Sequence, residues 1–242
     1  MTDIEFREPV VEPIKAHYDM ESIYDDVAHL LGADKTGHGM AHVDRVRALA
    51  LDFANREGAD LEVVELTSLL HDVDDYKLFG QEAADDLTNA TEILDRSSVN
   101  PKIARHVLQI IPTMGYNNFL EKKRPVTLEG QIVSDADMCD AIGSQGLIRV
   151  FEYNASKGRP FFDPSIAPAY TITDADEYRA SGNAHAVQHF FDKLLNIPDI
   201  LMTDAGREEG QKRAKVMQDF LDELFREEGA EAWREYLRDF LS

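Results

Sequence analysis

Hydrophobic side chains recur at helical spacing along most of this 242-residue chain. Leu66, Leu69, Leu70 and Val73 fall at positions i, i+3, i+4 and i+7, the pattern of a helix that buries one face. Comparable periodicity predicts helices over 20–31, 40–57, 61–75, 81–96, 100–111, 127–142, 184–196, 204–226 and 230–241. The pattern therefore predicts an all-α fold.

The segment 153–183 interrupts this periodicity. It contains Gly158, Pro160 and Pro164 and shows no clear apolar stripe. An irregular stretch of about 30 residues inside a compact domain is unusual and often functional. We expect one domain over 1–242 with an irregular insertion near 153–183, either an ordered flap at the mouth of a pocket or a disordered excursion.

Histidines and carboxylates interrupt three of the predicted apolar faces. His42 lies on the inward face of its helix, and His71 and Asp72 flank the stripe that ends at Val73. Further along, carboxylates break the stripe of the segment 131–141. Burying unpaired carboxylates would cost several kcal/mol. A bound cation explains them, whereas the His-Asp pair alone would be better explained by a hydrogen bond within a core helix.

These residues resemble the HD-domain family of metal-dependent phosphohydrolases, whose pattern is a His, then a His-Asp pair, then a distant Asp. The resemblance covers nearly the whole chain and is strongest to the bacterial YedJ and YpgQ-like subgroup. Four motifs carry it: Gly-His followed by His-Val-x-Arg-Val at 37–46, Leu-His-Asp-Val-x-Asp-Tyr-Lys at 70–77, Ile-Val-x-Asp-Ala-Asp-x-x-Asp-Ala-Ile-Gly at 132–143, and His-Phe-Phe-Asp-Lys-Leu-Leu at 189–195. The resemblance implies an HD-type helical bundle.

The resemblance implies one divalent metal ion held by His42, His71, Asp72 and Asp137. Spacing alone would allow Asp135 in the last place, but the family's ligand is the aspartate that directly follows the alanine, which favours Asp137. A mixed nitrogen and oxygen donor set suits Mn, Fe, Ni or Co better than Mg. Such an ion acidifies a water molecule and polarises a phosphorus–oxygen bond, so hydrolysis of a phosphate compound is the natural reaction.

Asp72 and Asp75 are the candidate catalytic residues. Asp75 follows His71 by four residues on the predicted helix over 61–75, so it lies one turn further along the same face. There it could accept a proton from the attacking water or hold that water in line. A solvated acid without a chemical role is an equally good interpretation of Asp75.

Cationic side chains are expected beside this site, because a nearly neutral metal centre cannot hold a polyanion by itself. The resemblance supports Lys77 in this role. Arg149, Lys193 and Arg213 are further substrate-binding candidates.

Two other histidines have open interpretations. Gly37 and Gly39 place His38 in a turn before the helix, either facing the substrate or without a chemical role. His106 could complete a two-metal site, although the subgroup resemblance favours an ordinary surface or core histidine.

Composition narrows the class of substrate and the compartment. The formal net charge of −21 opposes binding of long nucleic acids and favours a nucleotide or another small phosphate compound. The single cysteine, Cys139, excludes an intramolecular disulfide and fits a reducing compartment. The chain shows neither a signal-peptide pattern nor a membrane-length apolar run, so we expect a cytoplasmic protein. A homo-oligomer is compatible with the sequence.

The predicted function is a divalent-metal-dependent phosphohydrolase acting on a nucleotide, of the nucleoside triphosphate pyrophosphohydrolase type. The alternatives are a 5′-nucleotidase or phosphodiesterase of the same fold, or a nucleotide-sensing module without catalysis. The metal ligands are common to all of these classes. A sensor would be free to lose a ligand, however, and all four are present.

Overall fold

The computed structural model describes residues 18–34, 37–168 and 185–242. Within these ranges the regular elements are helices and no strand occurs, which confirms the predicted all-α class. The α-helices are α1 (Met20–Leu31), α2 (Met40–Glu57), α3 (Leu61–Leu70), α4 (Tyr76–Phe79), α5 (Gln81–Asp86), α6 (Thr88–Arg96), α7 (Pro101–Ile110), α8 (Tyr116–Leu120), α9 (Leu128–Asp140), α10 (Gly143–Ser156), α11 (Gln188–Asp192), α12 (Ile197–Ile200), α13 (Asp204–Glu227) and α14 (Glu231–Phe240). Short 3₁₀ turns lie at Ile111–Thr113 and Leu194–Asn196.

Helices α2, α3 and α9 pack on one another and form the centre of the described fold. Their facing side chains, such as Val46, Phe53 and Leu66, are almost completely buried. Burying a side chain of this size stabilises the fold by roughly 1.5–3 kcal/mol. Local signals set the helix ends: the Asp60 carboxylate accepts the first free N–H groups of α3, and Gly58 ends α2 in the left-handed conformation.

The predicted helix over 61–75 is too long. Helix α3 ends at Leu70, and the next four residues form a turn in which Val73 is still buried. The carboxylate of Asp74 explains the break, because it accepts the backbone N–H groups of Asn89 and Ala90, both at 2.9 Å. Capping the start of α6 draws this residue out of the helical path of α3.

Other boundaries also differ from the prediction. The segment 81–96 is split into α5 and α6 by Leu87, which has a φ of 49°. Helix α10 was not predicted, because two of its first four residues are glycines. It includes the first residues of the segment that was expected to be irregular. Residues 157–168 are irregular, whereas 169–184 lie outside the described residues, so the choice between flap and excursion falls mostly on residues that the structure does not describe.

The described part of the irregular segment is anchored to the C-terminal helices. The Trp233 indole N–H donates to the carbonyl oxygen of Ile166 at 2.7 Å. Phe162 packs against Trp233 and Phe225 with ring centroids 5.7 and 5.3 Å apart. This part of the segment is therefore packed on α13 and α14.

None of the described helices combines the length and the apolar character needed to cross a bilayer.

Asp135 joins α9 to the start of α13. Its fully buried carboxylate accepts the N–H groups of Met202 at 2.9 Å and Thr203 at 2.7 Å and the Thr203 hydroxyl at 2.8 Å. A side chain at Gly206 would collide with this carboxylate, since a Cβ there would lie 2.4 Å from Oδ2. The geometry therefore indicates that Asp135 stabilises the contact between α9 and the start of α13.

We expect Asp135→Ala to lower the free energy of unfolding by about 2–3 kcal/mol, because it leaves buried donors without an acceptor. Its affinity for Mn²⁺ should not change. Asp137→Ala is the matched comparison on the same helix and should show the reverse behaviour. Urea denaturation and manganese titration of both variants distinguish the two roles; loss of manganese binding in Asp135→Ala would contradict them.

Candidate metal centre

Two imidazoles from neighbouring helices meet in the centre of the fold. His42 lies in the first turn of α2 and is only 3% exposed, and His71 follows the last residue of α3. Their Nε2 atoms are 3.1 Å apart. Two nitrogens that each lie about 2.1 Å from one ion, at right angles, would be separated by about 3.0 Å.

The other nitrogen of each ring fixes its tautomer. His71 Nδ1 lies 2.8 Å from the carbonyl oxygen of Ser68, and His42 Nδ1 lies 2.7 Å from the carboxylate of Asp140. Both Nδ1 atoms must donate a proton, which leaves a lone pair on each Nε2. Two lone pairs at 3.1 Å repel unless a cation lies between them, so this geometry fits a metal ion.

A proton is the alternative occupant of this position. Burial lowers the pKa of His42, but hydrogen bonds with Asp140 and Asp72 outweigh burial and raise that pKa to about 9. A metal ion and a proton therefore compete for the same place between the rings.

Two carboxylates complete the cluster. Asp72 Oδ2 lies 3.4 Å from His42 Nε2 and 3.5 Å from His71 Nε2, and Asp137 Oδ1 lies 3.5 Å from His42 Nε2. Burial opposes ionisation of Asp72, but the neighbouring imidazoles hold its pKa well below the usual range. The structure thus brings the four implied ligands together; their coordination of an ion stays a prediction.

Sequence reasoning gave no role to Asp140, which orients His42. Its carboxylate is fully buried and accepts from Arg45 Nε at 2.6 Å and from Arg45 Nη2 at 2.9 Å, besides His42. Arg149 adds a longer contact of 3.4 Å. These hydrogen bonds and charges overcome burial and lower the pKa of Asp140. The available signal was the inward position of Asp140 in the stripe of α9.

His38 occupies the predicted turn before α2 and also reaches the cluster. Its Nδ1 lies 2.8 Å from Asp72 Oδ2, and its backbone N–H donates to the Asp34 carboxylate at 2.8 Å. The ring therefore supports the outer side of Asp72. Contact with a substrate stays a prediction for His38.

Asp75 does not lie where the sequence pattern placed it. Because α3 ends at Leu70, Asp75 is not on a continued face of that helix, and its carboxylate caps α4 by accepting the Lys77 N–H at 2.8 Å. A catalytic role for Asp75 depended on that shared helical face. We therefore leave Asp75 out of the proposed machinery.

Arg213 makes contacts within the protein, and its contact with a substrate stays a prediction. Its guanidinium donates to the carbonyl oxygen of Cys139 at 2.8 Å and to Glu209 at 2.7 Å. It thereby satisfies a carbonyl at the end of α9.

His106 faces Glu129, with Nε2 3.9 Å from the carboxylate.

The three remaining cationic candidates lie near one another. Lys77 is exposed on α4, whereas Arg149 and Lys193 are partly buried. Burial lowers the pKa of Lys193 to about 8, with Asp137 acting to raise it and with Lys77 and Arg149 acting to lower it. The guanidinium of Arg149 lies against Gly37, where a Cβ would be 3.2 Å from Nη2. Asp137 and both other cations therefore lie close enough to Lys193 for their charges to act on it.

Comparisons with known proteins identify the family to which this chain belongs. An HD domain family model matches residues 39–142. The uncharacterized protein YpgQ of Bacillus subtilis is 32% identical over 208 residues, covering 84% of this chain and 91% of YpgQ. Its solved structure in complex with ADP has a TM-score of 0.63 at 27% identity, covering 84% of this chain and 97% of that one.

A second solved structure bears the name of the superfamily. It is an HD-superfamily hydrolase from Bacillus thuringiensis, with a TM-score of 0.67 and 30% identity, covering 87% of this chain and 96% of that one. The chain therefore belongs to the HD-domain superfamily of hydrolases, whose members are in general metal-dependent phosphohydrolases.

Proposed function

We propose that this protein hydrolyses nucleotides in a reaction that depends on one divalent metal ion, with nucleoside triphosphates cleaved to monophosphate and pyrophosphate. One observation carries the proposal: His42 Nε2 lies 3.1 Å from His71 Nε2, 3.4 Å from Asp72 Oδ2 and 3.5 Å from Asp137 Oδ1, so two imidazoles and two carboxylates converge on one place. Two imidazoles and two carboxylates suit Mn, Fe, Ni or Co.

A divalent ion held by these residues would polarise a phosphate oxygen and acidify a water molecule. Other groups of the protein orient the proposed metal ligands. Asp140 and the Ser68 carbonyl hold His42 and His71 in the tautomer that can bind the ion. His38 holds Asp72 from its outer side.

Cations with unused hydrogen-bond donors support a phosphate substrate. Among the described residues, the guanidinium of Arg149 has only the 3.4 Å contact with Asp140, and the ammonium of Lys193 has no hydrogen-bond acceptor. The chain has 46 Asp and Glu residues against 25 Lys and Arg residues. Acidic residues are therefore numerous enough to give every Lys and Arg a carboxylate partner. Leaving these cations without full partners favours an anionic ligand.

The complex of YpgQ with ADP supports a nucleotide as that ligand. A triphosphate fits a group of three neighbouring cations, Lys77, Arg149 and Lys193, better than a monophosphate does. A 5′-nucleotidase, a phosphodiesterase and a sensor remain the alternatives, and the products distinguish them.

The test is phosphorus NMR of a mixed nucleotide pool incubated with metal-stripped protein, with and without Mn²⁺. We expect triphosphate signals to fall only when Mn²⁺ is present and pyrophosphate to appear. Orthophosphate released from monophosphates would favour the nucleotidase. A pool that is unchanged in the presence of Mn²⁺ would contradict the proposed hydrolysis and favour the sensor.

A further inference from the structure

Two short stretches that are distant in sequence are joined to each other beside the C-terminal helices. Two backbone hydrogen bonds connect them, in which the N–H groups of Ala186 and Val187 donate to the carbonyl oxygens of Pro160 and Phe161 at 3.3 and 3.1 Å. We name this pair of stretches, 160–166 and 185–187, the clasp.

The ring of Phe161 connects the clasp to three helices. Its centroid lies 6.2, 6.2 and 5.8 Å from those of Phe151 on α10, Phe190 on α11 and Phe220 on α13. Helix α10 also carries Arg149, whose guanidinium lies 3.4 Å from the Asp140 carboxylate. Release of the clasp would therefore remove a contact from a helix that also reaches the carboxylate orienting His42.

His185 is buried in the clasp, and one of its nitrogens has no hydrogen-bond partner. The residue is 1% exposed, and among the described residues no donor or acceptor meets Nδ1. The ring packs edge-on against Phe162 and Trp233, with centroids 5.6 and 5.2 Å apart. An apolar side chain would avoid the cost of burying an unpaired polar atom. A histidine at this position therefore calls for an explanation.

The surroundings of His185 accept a neutral imidazole better than a charged one. The contacting side chains, Phe162 from the clasp and Trp233 from α14, carry no charge. The charged group that acts on the ring is Asp163 of the clasp, whose carboxylate already accepts the N–H and the hydroxyl of Ser165 at 2.9 and 2.6 Å. Burial lowers the pKa of His185, and Asp163 opposes only part of this shift. Protonation therefore favours a state in which the imidazole has reached water.

We propose that His185 makes the clasp sensitive to acid, so that the clasp stays packed on α13 and α14 while the imidazole is neutral and is released when the imidazole takes up a proton. An imidazole in water has a pKa of about 6.5, and the packed one has a lower pKa. Between these two values, each fall of one pH unit weakens packing by up to about tenfold, whereas above about pH 6.5 packing does not depend on pH. The groups of the clasp are separate from the proposed metal ligands, so this inference does not depend on the proposed hydrolysis.

Trp233 is the single tryptophan of the chain and reports on the clasp directly. It is 1% exposed, it packs against Phe162, and its indole N–H donates to the carbonyl oxygen of Ile166. Release of the clasp would open the indole to water. The test is acrylamide quenching of tryptophan fluorescence in the full chain from about pH 7.5 to about pH 5.5. Measurement with and without acrylamide at each pH separates exposure of the indole from quenching by the protonated imidazole itself.

We expect the population with an accessible Trp233 to rise by up to about tenfold per pH unit below about pH 6.5. Circular dichroism should show that helix content stays constant over the same range. His185→Phe removes the site of protonation but keeps a ring, so Trp233 should stay protected at every pH. His185→Leu is a second apolar variant in case the larger ring does not fit. His29→Phe, at an exposed position in the last turn of α1, is the matched control and should respond like the wild type.

Three results would overturn the proposal. The first is an accessibility of Trp233 that does not change with pH in the wild type. The second is an equal rise in the wild type and in both His185 variants, which would assign the response to other groups. The third is a rise that occurs only together with loss of helix content. The measurement uses neither metal nor nucleotide, so failure of the proposed hydrolysis would leave its result unchanged.

Discussion

His71→Ala is expected to abolish metal-dependent hydrolysis, with a loss of about three orders of magnitude or more, because the centre loses one of its two nitrogen donors. His71 Nε2 lies 3.1 Å from His42 Nε2 and 3.5 Å from Asp72 Oδ2, so its removal takes away the nitrogen that faces both residues. Activity is measured by release of pyrophosphate or orthophosphate at saturating Mn²⁺.

The same variant should lose stabilisation by metal. Wild-type protein at a Mn²⁺ concentration about 100 times the dissociation constant gains about 2.7 kcal/mol of stability, and His71→Ala should gain almost none. His106→Ala is the matched control, since His106 faces Glu129 instead of the centre. If His71→Ala kept both its activity and its stabilisation by Mn²⁺, the proposed centre would be wrong.

Asp140→Asn should weaken metal binding by about 10–100-fold, the effect usual for a group that orients a metal-binding histidine. The substitution keeps the shape of the side chain but removes the charge that accepts from His42 and Arg45. An amide can also present its NH₂ group to His42, which would favour the wrong tautomer. Manganese titration measures the loss, and circular dichroism checks the fold.

Glu65→Gln is the control for Asp140→Asn. Glu65 also accepts from an arginine, Arg47, through Nε at 2.9 Å, but it contacts none of the four converging side chains. This variant should keep the manganese affinity of the wild type. Unchanged manganese affinity in Asp140→Asn would show that orientation of His42 does not depend on this carboxylate.

The four converging residues are predictable from the sequence because each belongs to a motif of fixed order. The resemblance to the HD-domain family transfers residue by residue, and it identifies His42, His71, Asp72 and Asp137. The resemblance favoured Asp137 over Asp135 as the last ligand. In the structure, the carboxylate of Asp135 accepts a hydrogen bond from Thr203, which lies 68 positions further along the chain. Periodicity within one helix does not contain that partner.

Local structure could not be predicted where a partner outside the segment decides it. Asp74 caps α6, and α3 ends before it. As a result, Asp75 does not lie on the helical face on which its predicted catalytic role depended. Arg213 meets the carbonyl of Cys139, 74 positions away.

Pulsed electron paramagnetic resonance of the protein with one equivalent of Mn²⁺ tests the central claim most directly, because it counts the nitrogens bound to the ion. We predict coupling to two histidine nitrogens in the wild type and to one at most in His71→Ala. Manganese that binds without nitrogen coupling, or with the same coupling in both proteins, would contradict a centre built on His42 and His71.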